Sequence, residues 1–321
     1  MYSQKNASRI FSADKFAFCI DFMIYYYYIF SRSTAMSDKS RIIIIITGLT
    51  LLLGIFIGVY FLLSPDTPSN PEFEIRVLST RDSDAIIVRA GGKNILIDGA
   101  YREYSYRILG ALEDMEITHL DYIIITHFDS DHIGGLPEVM RVIPVTTVLA
   151  PRYSETSGSY RRLNDALTRA NLTMTRLAQD YIIELDGGHI WVNTHLREEY
   201  DDENNFSLIT AIHYGDYSAL FMGDSLRIRT NEFLTALAER PARYQSFNFA
   251  KLPHHGQQNN GPLRSLLRDS GVQYTVVTHD NPDRVSSALL NFLAGENASV
   301  YFTWDGDVRV IIENGRLVVK Q

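Results

Sequence analysis

The segment DYIIITHFDSDHIGG, Asp121 to Gly135, carries a near-continuous apolar run, Tyr122 to Ile125, that stops at Thr126 and is followed within six residues by His127, Asp129, Asp131 and His132. Four hard or borderline donors crowded into a tight turn at the end of a buried strand can converge on a divalent cation. Gly134 and Gly135 then permit a sharp entry into the next helix. A polar surface turn with capping aspartates is the ordinary alternative, but such turns seldom place two histidines and two aspartates so close behind an apolar run. The single cysteine, Cys19, excludes an internal disulfide framework and a cysteine zinc site, so histidines and carboxylates must supply any metal shell.

Other donors stand where apolar runs end. Asp98 closes NILIDGA, Asp224 follows ALFMG, His254 and His255 follow FAKLP, and His279 sits in VVTHDN. Each has a plain structural reading beside the chemical one: a turn aspartate for Asp98, a helix N-cap for Asp224, a polar loop residue for His279. One of His254 and His255 is expected to bind metal, with His255 favoured, although adjacent residues cannot be separated by sequence. His119, His189, His195 and His213 have no clustered partners and read as structural or exposed.

These residues must be positioned by strands and helices that alternate along the chain. Strands are expected at Phe73 to Val77, Ala85 to Arg89, Asn94 to Asp98, Asp121 to Thr126, Val145 to Leu149, Phe206 to His213, Tyr217 to Met222, Phe247 to Leu252, Tyr274 to Thr278 and Val300 to Thr303. Gly91 and Gly92 mark the first hairpin turn. Helices are expected around Tyr104 to Leu112, Leu136 to Val142, Arg161 to Ala170, Ser225 to Glu239, Pro262 to Arg268 and Arg284 to Leu293. Hairpins mixed with strand-helix-strand units imply an α/β domain of two packed sheets with helices outside.

The 321 residues divide into unequal parts. Residues 42–63 form an uncharged apolar stretch that as a helix would span roughly 33 Å, the thickness of a bilayer core. Lys39 and Arg41 precede it and Asp66, Glu72 and Glu74 follow it, so the positive-inside rule places residues 1–41 in the cytoplasm and the remainder outside. A cleaved signal peptide is the alternative. Residues 1–35 differ from the rest, and Met36 followed by SDKSR reads as a natural start, so the preceding segment is expected not to be translated. Residues 64–72 (SPDTPSNPE) form a proline-rich linker, and residues 73–321 a single catalytic domain. The net charge of −8 argues against a nucleic-acid coat protein without excluding a local basic groove.

Taken in order, these motifs resemble the metallo-β-lactamase superfamily, whose signature at this strand end is H-x-H-x-D-H. The H-F-D-S-D-H here puts Asp129 where the second histidine usually stands. That variant, within T-H-x-D-x-D-H-x-G-G, is similar to the nuclease domain of the competence DNA-uptake channel and its stand-alone relatives, and His279 as a last ligand would be similar to the surface phosphorylcholine esterases of the same superfamily. The resemblance implies a four-layer αββα sandwich, preceded here by one transmembrane helix, with the site along one edge of the sheets. It implies two divalent ions, zinc or manganese, with His127 and Asp129 on the first, Asp131, His132 and a late histidine (His254, His255 or His279) on the second, and Asp224 bridging. His127, Asp131 and Asp224 would be central to catalysis, and Asp98 would orient a histidine ligand. Lys251, Asn205 and Asn281 are candidates for contacting an anionic substrate, a surface role for Lys251 being the alternative. Asn205 and Ser207 occupy the region where the superfamily carries a further histidine.

Three departures bear on substrate: Arg81-Asp82-Ser83-Asp84 replaces the G-Q-G-D turn, HHGQ replaces HHGS, and Asn281-Pro282-Asp283-Arg284 replaces N-x-Y-x-H-P. The function implied is a membrane-anchored extracellular phosphodiesterase or nuclease, tethered to the bilayer by one helix and acting on an anionic phosphodiester, DNA or a cell-surface polymer. A lactone, thioester or amide hydrolase on the same fold, or a metal-binding surface module without turnover, are the alternatives.

Overall fold

The computed structural model describes residues 71–321 without interruption, together with Ser37, Lys39, Ile42, Ile43, residues 46–48, Thr50 and Gly54. The chain separates into two compact units, Met1–Ser69 and Asn70–Gln321. Most of the apolar stretch 42–63 lies outside the described residues, and among those that are described no helix is long and apolar enough to cross a membrane.

The second unit contains two mixed sheets. One has eight strands in the order β15 (Arg316–Lys320), β14 (Val308–Glu313), β1 (Phe73–Val77), β2 (Ile86–Ala90), β3 (Lys93–Ile97), β4 (Leu120–Ile124), β5 (Val145–Pro151) and β6 (Met174–Leu177). The other has seven, β13 (Ser299–Phe302), β12 (Tyr274–Val277), β11 (Phe249–Lys251), β10 (Tyr217–Phe221), β9 (Ile209–Tyr214), β8 (Gly188–Asn193) and β7 (Tyr181–Leu185). In each sheet antiparallel hairpins occupy one side and parallel strands the other: β3 to β6 in the first, β10 to β13 in the second.

The strands read as continuous apolar runs because both of their faces are buried. In the first sheet Ile86, Val88, Ile95, Ile97 and Ile124 face the opposing sheet, while Ile87, Leu96, Ile123 and Ile125 face a second core beneath the helices Ser105–Asp114, Leu136–Val142 and Gly158–Arg169. In the second sheet Ile212, Ala219 and Phe221 face inward, while Ala211, Leu220 and Met222 pack with Phe233, Leu266 and Leu289 of the helices Arg227–Ala238, Gly261–Asp269 and Ser287–Gly295. The period of two thus feeds three stacked cores, and the layers are helix, sheet, sheet, helix.

All six expected helices form, with ends shifted by a few residues. Strands β6, β7, β8, β14 and β15 were not among those expected. The hairpin β14–β15 turns at Asn314-Gly315, both at positive φ, and β7–β8 turns at Gly187, so both carry a local turn signal. Gly91 and Gly92 have positive φ at the β2–β3 turn, as expected.

Candidate metal centre

The functional geometry collects at the carboxyl ends of the parallel strands, the usual place for a site in an α/β sheet. β3 delivers Asp98, β4 delivers Thr126 to His132, β10 delivers Asp224, β11 delivers Lys251 and the histidine pair, and β12 delivers Thr278 and His279. Pairing of Ile97 with Ile124 and of Phe221 with Lys251 holds these ends side by side within each sheet.

Four side chains converge. Asp131, His132, Asp224 and His255 each place a donor atom within 4.8 Å of the others'. His132 Nε2 lies 3.4 Å from Asp224 Oδ1 and 3.5 Å from Asp131 Oδ2, and His255 Nε2 lies 3.3 Å from Asp224 Oδ2 and 3.2 Å from Asp131 Oδ2. Beside them His127 Nε2 stands 3.6 Å from Asp129 Oδ2, with its ring centroid 4.1 Å from that of His132. His254 Nε2 stands 3.9 Å from Asp224 Oδ2. His254 and His255 have φ of 48° and 52°, so a rare left-handed pair of residues turns both imidazoles toward one carboxylate. Both neighbours therefore flank Asp224, where one ligand had been expected.

The donors are held from behind. Asp98 accepts from the Thr126 amide (2.8 Å) and hydroxyl (2.7 Å) and sits 2.8 Å from His132 Nδ1, which leaves the His132 Nε2 free to face Asp224. Thr278 donates to Asp84 Oδ1 at 2.6 Å and lies 3.1 Å from His255 Nδ1. The Asp224 amide donates to Ser207 Oγ at 3.1 Å. Gly223, at φ +51°, is required there: a Cβ would meet Thr126 Cβ at 2.7 Å and Ser207 Oγ at 3.0 Å. Gly223→Ala combines a left-handed backbone with overpacking and is expected to cost about 1–3 kcal/mol, read as a lower urea midpoint at unchanged slope.

Three buried atoms in this cluster, His127 Nε2, His132 Nε2 and Asp224 Oδ1, have no hydrogen-bond partner. Buried nitrogen and carboxylate atoms are rarely left so, and an orphaned group among convergent donors marks where an ion fits. The electrostatics agree. Burial opposes the charged form of Asp131, but His132 and His255 outweigh it and hold its carboxyl far below the usual carboxylate range. Burial is likewise overcome at Asp224 by His255 and His132, while Asp224 raises both imidazoles well above the ordinary histidine value. The site thus stabilises negative charge and attracts cations.

Other expected residues fall elsewhere. His279 is buried outside the four-residue cluster, its ring 6.3 Å from that of His255 and its Nδ1 accepting from the Asn281 amide. Asn281 caps the turn Pro282–Arg284 through Asp283 N. Asn205 is buried and accepts from Arg229 N at the start of the helix Arg227–Ala238, and Ser207 holds Asp224, so both support the loop instead of facing solvent. Lys251 is not a surface residue: it is wholly buried and ion-paired with Asp84. The role of Asp84 as a hub was not foreseen, although its survival as the last residue of the altered turn Arg81 to Asp84 was a signal. Thr126 and Thr278, each preceding a histidine at a strand end, carried none.

The sequence profile described as Metallo-beta-lactamase superfamily matches residues 78–279, more than half of the chain. The chain belongs to the metallo-beta-lactamase superfamily. Two solved structures are similar to it in fold: a metal-dependent hydrolase of the beta-lactamase superfamily, with TM-score 0.53, 12% identity, covering 75% of this chain and 100% of the other, and a mutant of the CmlA beta-hydroxylase, with TM-score 0.52, 14% identity, covering 75% and 54%. Curated relatives match only a segment. A putative diflavin flavoprotein of Synechocystis sp. is 34% identical over 82 residues, 25% of this chain and 14% of its own length. Ribonuclease Z of Clostridium kluyveri is 39% identical over 72 residues, 22% of each chain. The chain therefore spans under a quarter of these relatives, and this superfamily member shares a fold with proteins of several chemistries.

Proposed function

We propose that this superfamily member is a metal-dependent phosphodiesterase or nuclease, anchored to the cell membrane by residues 42–63 with its domain outside. The observation that carries the catalytic part is the convergence of Asp131, His132 and His255 on Asp224, with His254 3.9 Å from the same carboxylate and the His127–Asp129 pair beside His132. These residues would hold two divalent ions, which when bound supply Lewis acidity and lower the pKa of a water for attack on phosphorus. The chain's own residues do the rest. Asp98 keeps the His132 Nε2 aimed inward, Ser207 fixes the Asp224 backbone, and the left-handed turn at His254 and His255 sets the two imidazoles on one carboxylate.

The preference for phosphodiesters is supported by the segment similar to a ribonuclease Z and by the H-x-D-x-D-H pattern similar to the DNA-uptake nuclease. Membrane anchoring rests on the apolar stretch and its charge asymmetry. Purified full chain, assayed with manganese, zinc and iron on DNA, bis-nitrophenyl phosphate and a lactone, thioester and amide panel, tests the activity. Hydrolysis of a phosphodiester above the others is expected; turnover confined to the panel would replace this proposal by its acyl-hydrolase rival. Carbonate extraction and protease accessibility in intact cells test the topology, and a domain released by carbonate or shielded from external protease would refute it.

A further inference from the structure

Behind the donor atoms lies a second buried acidic group, Asp84, Asp98 and His132, whose ligand-capable atoms also lie within 4.8 Å of one another. By charge alone a cation belongs there, and the chain supplies one. The Lys251 ammonium, fully buried at the end of β11, pairs with Asp84 Oδ2, donates to Gly223 O at 3.2 Å and stands 3.6 Å from Asp224 Oδ1. With three protein oxygens around it and no exposed surface, the ammonium does not reach a substrate in solvent.

We propose that Lys251 is a built-in cation that positions both halves of the metal centre, an inference that rests on reading the donor cluster as such a centre. Two links run from it. Through Asp84, whose Oδ1 is 3.5 Å from His255 Nδ1 and accepts from Thr278, it fixes the imidazole that flanks Asp224. Through Gly223 O and Asp224 it fixes the carboxylate on which His132, His255 and His254 converge. Asp84 cannot easily move: its amide donates to Asp131 O at 3.1 Å, and its carbonyl accepts from Ala100 N at 2.7 Å. A buried lysine is seldom tolerated unless paired. Here its loss would take from Asp84 the cation at its Oδ2 in the interior, and the carboxyl would relieve this by protonating or by turning away from His255.

The test uses the full chain as wild type, Lys251→Met and Lys251→Met/Asp84→Asn. Zinc and manganese affinities are measured by competition with a chromophoric chelator, and metal-free unfolding by circular dichroism. Lys251→Met is expected to bind the ions at least about tenfold more weakly, as when a group that orients a ligand is removed, and to melt below wild type. The double variant should regain part of the melting temperature, because no lone charge stays buried, yet bind metal as weakly as the single one, because His255 has lost its orienting carboxylate. Should Lys251→Met fail to fold, the double variant supplies the affinity. Wild-type or tighter affinity in either folded variant, or a double variant that melts no higher than the single, overturns the proposal. A wild-type chain that binds no ion at all would refute the metal-centre reading itself, which the variants' melting behaviour would not.

Discussion

Asp224→Ala is expected to lower phosphodiester turnover by about a hundred- to a thousandfold, the scale on which removal of one preorganised electrostatic group acts, or about 3–4 kcal/mol of barrier. The size follows from position. Among the described residues, Asp224 is the one carboxylate within reach of three imidazoles: His132 at 3.4 Å, His255 at 3.3 Å and His254 at 3.9 Å. Its loss would remove the carboxylate on which His132, His255 and His254 converge and the anion that offsets their charge. Metal content measured by mass spectrometry should fall with turnover, whereas the fold should survive, since Asp224 lies at a strand end and adds nothing to the three cores. Asp224→Asn keeps the shape and one oxygen acceptor but not the charge, and should lie between alanine and wild type. Turnover at the wild-type rate in folded Asp224→Ala would remove the proposed mechanism.

How much of this centre could be read in the sequence depends on distance along the chain. His127, Asp129, Asp131 and His132 are legible because a buried strand ends beside them, and chain geometry alone crowds donors within six residues. Asp98 and Asp224 are legible by the same device, an apolar run closed by a carboxylate. Lys251 is not, because an isolated lysine reads as a solvated cation; its partners Asp84 and Gly223 come from elsewhere in the chain, Asp84 from the opposite sheet. The choice between His254 and His255 was open for a related reason. Only the backbone, left-handed at both, places both rings near Asp224.

The fold shows the same division. Central strands such as β4 and β10, buried on both faces, announce themselves as apolar runs. The edge strands β7 and β15 do not, and their interior hairpin partners β8 and β14 are missed with them. β7 alternates buried and exposed residues, and β15 is only half-buried along Leu317 to Val319, so neither stands out by hydrophobicity. What marks them is turn chemistry, the Asn314-Gly315 pair above all, which outweighs apolar content at a sheet edge.

Metal binding at neutral pH should release up to about two protons, because ligation needs neutral imidazoles and the metal-free site holds His132 and His255 protonated. Both have folded pKa values raised well above 6.5: burial opposes this, and Asp224 leads the charges that overcome it. A raised histidine pKa contributes stability that is complete below the unfolded value and is lost as pH rises through the folded value. The carboxyls of Asp84, Asp131 and Asp224 are depressed below 3.8, burial being outweighed by Lys251 at the first and by the two imidazoles at the others. Their contribution is complete above the unfolded value and is lost as pH falls through the depressed one. Metal-free protein should therefore be most stable between about pH 4 and 6.5 and should weaken as the pH rises further. Bound metal reverses the alkaline side, since affinity should climb by up to about a hundredfold per pH unit while two protons are displaced, moving the stability optimum upward. Thermal unfolding across pH with and without manganese reads the shift, and calorimetry in two buffers of different ionisation enthalpy counts the protons. Buffer-independent heats, with a metal-free midpoint that stays level from pH 6 to 9, would show that the imidazoles are already neutral and that the carboxylates of this cluster are balanced by Lys251 alone.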